Sequence, residues 1–136
     1  MVHALKEVHR TLIPSAYLID LRPVTDKPPV DVVIDDRIIS AGFIDNTAGR
    51  DDDLMATQSI QHMVTDGHFE RIKSTNFDLY TYWDTLEAFL TYMSQRAKSI
   101  LPPETHDRLV KLHNQGINVH RIRLTHHMLI TRYRKL

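Results

Sequence analysis

The chain has 136 residues, 42% of them hydrophobic and 25% charged, no cysteine and no net charge; it reads as one globular domain spanning 1–136, without disulfides, a thiolate nucleophile or a cysteine-ligated metal. No apolar run is long enough to span a bilayer, and Lys6, Glu7 and Arg10 break up what could be a signal peptide, so a cytoplasmic protein is expected. Residues 1–68 carry −5 and residues 69–136 carry +5, a split that favours a compact fold or a protein partner over nucleic acid.

Leu5, Val8 and Leu12 recur at helical spacing opposite Lys6, Glu7 and Arg10, which predicts an amphipathic helix stopped by Pro14 and Ser15. Tyr17 to Leu21 is a nearly continuous apolar run closed by Arg22 and Pro23. Such a run suits a strand covered on both faces, in a parallel or mixed sheet. After a loop from Val24 to Pro29, Val30–Ile34 and Arg37–Ile44 flank Asp35-Asp36, the pattern of a β-hairpin. Asp51, Asp52 and Asp53 then open a helix to about Thr65, where carboxylates suit the positive end of the helix dipole. Gly67 ends it.

Phe69 to Trp83 is rich in strand formers. Asp84 and Glu87 form a capping box for a helix whose core stripe is Leu86, Phe89, Leu90, Met93 and Ala97. Pro102 and Pro103 begin a further helix carrying Leu109 and Leu112 and ended by Gly116. From Val119 to Tyr133 the alternation predicts a long strand with one buried face. That face carries His120, Ile122, Leu124, His126, Met128 and Ile130, with Arg121, Arg123, Thr125, His127 and Thr131 on the other.

The opening stretch also carries a resemblance. Leu5, Glu7, Arg10, Leu12, Pro14 and the strand Tyr17 to Leu21 resemble the helix, turn and fifth strand of class I S-adenosylmethionine-dependent methyltransferases. Here Ile13 precedes the proline and Ser15-Ala16 follow it, where that family has a basic residue and glycines. The resemblance implies an α/β domain of mixed sheet with helices, like the C-terminal part of a Rossmann-like methyltransferase, with an extra β-hairpin. Standing free, it would class as α+β. Phe69 to Trp83 would be the sixth strand, and Val119 to Tyr133 the seventh, antiparallel and inserted between the fifth and sixth.

The family's cofactor turn is missing. Gly42, Gly49, Gly67 and Gly116 have no G-x-G spacing among them, and only glycine lets a backbone approach the ligand so closely. The expectation is therefore the substrate-side half of a methyltransferase, silent alone, with S-adenosylmethionine bound only if a partner supplies the other half. A split gene, a truncated reading frame or a reused fragment would each give such a chain. The fifth strand would expose an edge, to be covered by a separate chain or in a homodimer. The alternative is a non-enzymatic α+β module that binds a small apolar ligand or a protein.

If the resemblance holds, Asp20, Arg22, Tyr80, Tyr82 and Trp83 face the methyl acceptor. The competing reading has the aromatics filling core beneath the following helix. No metal site is expected: His126 and His127 point to opposite faces, and His120 lies too far along the strand to join His126. Arg121, Arg123, Arg132, Arg134 and Lys135 read as a solvated strand face that pairs with the acidic half.

Overall fold

The computed structural model describes residues 1–115 and 120–136, so the expected helix stop at Gly116 and strand start at Val119 lie outside the described residues. The element order is α1 (Val2–Thr11), β1 (Tyr17–Pro23), β2 (Pro29–Ile34), β3 (Arg37–Phe43), a 3-10 turn (Thr47–Gly49), α2 (Arg50–Thr65), β4 (Phe69–Trp83), α3 (Leu86–Ser94), α4 (Pro103–Asn114) and β5 (His120–Lys135). The class is α+β. The strands follow the order β1-β5-β2-β3, with β4 also paired to β5, and β1 and β2 both run antiparallel to β5. The expected mixed sheet is thus replaced by an antiparallel one. Among the described residues no helix is long and apolar enough to cross a membrane.

Two compact units are present. The first comprises residues 1–24, 50–77 and 128–136; the second comprises 25–49 and 78–127.

In the first unit, β1 pairs with β5 in an unbroken register from Tyr17 opposite Arg134 to Pro23 opposite Met128. α1 packs on α2, and Leu5, Leu12 and Leu18 close over a core of Ile60, Met63, Phe69 and Tyr133. Lys135 Nζ donates to the Leu12 carbonyl at 2.7 Å, satisfying one of the carbonyls left over at the end of α1. α2 carries its three aspartates in the first turn, as the sequence predicts. It ends in a Schellman closure, with His68 N bonded to Met63 O, Gly67 N bonded to Val64 O, and Gly67 at φ +74°. β1 corrects the expectation of a strand covered on both faces. Its residues alternate, and Tyr17, Ile19 and Leu21 are each 53% exposed, because the helices cover only the Leu18 side.

In the second unit the predicted hairpin forms around Asp35-Asp36, with Asp35 in the left-handed region at φ +52°. The ladder shifts between Val30 and Asp31. Gly42 (φ +126°) faces that shift, and a Cβ there would lie 2.5 Å from Thr105 Oγ1. Thr105 both donates to the Phe43 carbonyl and accepts from its N–H, fastening α4 to β3. Val30, Val32, Ile34, Ile122 and Leu124 meet Phe89, Met93, Leu109 and Leu112 of the two helices.

Two further expectations need correcting. The cap of α3 is Thr85, whose Oγ1 accepts from Ala88 N at 3.1 Å, not Asp84, because Thr85 is the last residue with extended backbone; the helix stops at Ser94, short of Ala97. Nor is one face of β5 buried throughout. Ile122 and Leu124 are buried in the second unit, but Thr131 and Tyr133 in the first, as each stretch packs on its own unit's helices.

Candidate functional site

The five residues singled out by sequence divide between the two units. Asp20 and Arg22 lie toward the carboxyl end of β1. Their side chains form an ion pair and are 21% and 18% exposed. Arg22 also donates to Thr57 Oγ1 of α2 at 2.7 Å. Alternation along the strand puts both on the helix-covered side with Leu18. Beside them is a cavity of about 250 Å³ whose lining includes Leu5, Leu18, Ile19, Leu21, Asp53 and Ile60. Residues from both faces of β1 line it, so it wraps around the strand's outer edge. Nearby, burial and then the Asp20 carboxylate push the Tyr133 phenol above its ordinary pKa. The arrangement offers an apolar hollow with a carboxylate–guanidinium pair at one end, a pattern suited to orienting a small polar group.

Tyr80 and Tyr82 belong to the second unit and are 45% and 42% exposed. They do not fill core. Arg123 lies 4.9 Å from the Tyr80 ring centroid and Arg121 lies 4.6 Å from that of Tyr82. Arg123 also donates through Nε and an Nη to one oxygen of Asp31, at 3.2 and 2.8 Å. Those bonds raise the guanidinium pKa against the opposing effect of burial. His127 Nδ1 lies 2.6 Å from Asp78 Oδ1 on the same two strands.

Trp83 is different. It is half-buried, its ring edge-on to Phe89 at 5.1 Å and tilted against Tyr92 at 4.7 Å. For this one aromatic the core reading holds.

The sequence does not single out Thr57 or Asp31, and it marks Asp53 only as one of the carboxylates that open α2. Arg121 and Arg123 were read as a solvated face, yet Arg123 is largely enclosed. One sequence signal was present, since arginines at every second position of one strand match tyrosines at every second position of another. No group of three or more potential metal ligands occurs among the described residues. Comparison of the chain with protein-family models, with curated proteins and with solved structures gives no match.

Proposed function

We propose that the chain is the substrate-side, C-terminal half of a class I S-adenosylmethionine-dependent methyltransferase, catalytically silent until a chain carrying the cofactor half completes it. The observation that carries this reading is the strand arrangement of the first unit. One edge of β5 pairs with β1, and Ser74 and Glu70 of β4 bond to Thr131 and Arg134 of β5. A strand has two edges, so β5 runs between β1 and β4, the order the fifth, seventh and sixth strands would take. α1 and α2 on one face only, with Tyr17, Ile19 and Leu21 uncovered on the other, fit half of a Rossmann-like sheet that has helices on both faces. The hairpin, α3 and α4 would be an inserted lobe.

On this reading Asp20 and Arg22 stand near the carboxyl end of β1, the end at which open α/β sheets bind ligands. The residues present do not fit the cofactor itself: Gly42 is committed to the hairpin and Gly67 to a helix end. No methyl-transfer step is assigned to this chain alone. Calorimetric titration of S-adenosylmethionine and of its demethylated product into the purified chain is the test. No heat is expected. Binding near one equivalent would show that the cofactor site is already here and sink the reading.

The second reading, a free-standing module for a small apolar ligand or a protein, is favoured by the cavity beside β1. Saturable shifts of the Leu5, Leu18 and Ile60 methyl resonances on titration with benzene would support it; unchanged spectra would count against it.

A further inference from the structure

We infer that the free edge of β1 pairs with β1 of a second copy of this chain, antiparallel and centred on Leu21. Among the described residues β1 pairs only with β5, so its other edge is unpaired. The direction of its backbone groups is fixed. Lys135 N donates to Ala16 O, which turns Ala16 toward β5; by antiparallel alternation Leu18, Asp20 and Arg22 also turn inward, while Tyr17, Ile19, Leu21 and Pro23 aim their N–H and C=O groups outward. Those outward residues also carry the exposed apolar side chains. A strand edge with open donors and acceptors beside an uncovered apolar face is a template for another strand.

Symmetry limits the register. Two antiparallel copies of one strand are related by a two-fold axis perpendicular to the sheet, so directly opposed residues share a face. The pairing must therefore centre on a residue. Centring on Asp20 or on Arg22 sets like charges against each other. Centring on Ile19 leaves both charges facing Leu18 and Ala16. Centring on Leu21 opposes Asp20 of each copy with Arg22 of the other, and sets Leu21 against Leu21 and Ile19 against Pro23 on the apolar face. Opposite charges directly across a strand pair stabilise it, and like charges destabilise it. Leu21 can exchange both backbone bonds with its counterpart, and each Ile19 N–H reaches the Pro23 carbonyl opposite, so the proline removes only its own donor. The cavity at this edge leaves room on the helix side for the incoming Asp20 and Arg22.

This pairing stands whether or not the methyltransferase reading does, because it depends only on the edge, and a completing chain would compete for the same groups. Its test uses the absence of cysteine from the chain. Leu21→Cys should cross-link to a covalent dimer on mild oxidation, since opposed Cα atoms in a hydrogen-bonded pair are about 5.5 Å apart, within disulfide reach. Ile19→Cys should cross-link several-fold less. By sedimentation, Asp20→Arg alone and Arg22→Asp alone should each weaken dimerisation about tenfold, and the two together should restore it to within about threefold. Circular dichroism identifies any charge variant that fails to fold, and the cysteine variants leave both charges in place. A natural chain that stays monomeric at millimolar concentration would overturn the inference. So would Ile19→Cys cross-linking as well as Leu21→Cys, or a folded charge exchange that stays weak.

Discussion

Arg123 and Asp31 are brought together across 92 positions of sequence, and their side chains are only 17% and 11% exposed. A guanidinium so enclosed depends on its acceptor, because removing one member of a buried pair leaves the other uncompensated. Asp31→Ala should therefore cost roughly 3 kcal/mol in urea unfolding. Arg121 is exposed and rests on the Tyr82 ring, so Arg121→Ala should cost about 1 kcal/mol or less. Equal losses from the two substitutions would mean that the Asp31 pair is no more than a surface ion pair.

At the scale of elements, α3 depends on its first residues. With the cap on Thr85, Thr85→Ala should cost about 1 kcal/mol and Asp84→Ala a few tenths at most, measured as a shift in unfolding midpoint. The opposite ranking would return the cap to Asp84. Local chemistry made this region legible only to within one residue: both side chains can cap, and the backbone angles that choose between them are not written in the sequence. Elsewhere local signals were enough. The spacing of Leu5, Val8 and Leu12, the Asp35-Asp36 turn and Gly67 each specify their element without help from distant residues. β5 was harder to read. Its alternation is regular, but which of its residues are buried is decided within each unit by the helices that pack there, and those contacts are not written in the strand. The candidate site divides in the same way. Asp20 and Arg22 are two apart on one strand and could be picked out together, whereas Thr57 and Asp53 join them only once α2 lies over β1. Trp83 could not be separated from Tyr80 and Tyr82 by composition. The difference arises because Trp83 reaches the packing surface of Phe89 and Tyr92, while the two tyrosines lie beside arginines.

For the molecule as a whole, each unit contains, among the described residues, a histidine whose environment opposes protonation. His9 in the first unit has its pKa lowered by burial, then by Lys135 and His68; its ring stacks edge-on against Phe69 at 5.3 Å. His126 in the second unit is lowered by burial, then by Arg96. A histidine with a folded pKa below its unfolded value of about 6.5 leaves the unfolded state binding more protons. Its contribution to stability is complete above that value and is lost as pH falls through the folded pKa. Stability should hold steady down to about pH 7 and then decline as the pH falls below the unfolded value of about 6.5. A ring that cannot titrate removes the proton linkage and keeps most of the packing, so His9→Phe should reduce the decline, and the double variant with His126→Phe should reduce it further. Urea midpoints measured across this range decide the matter. A double variant as acid-sensitive as the natural chain would assign the loss to other groups.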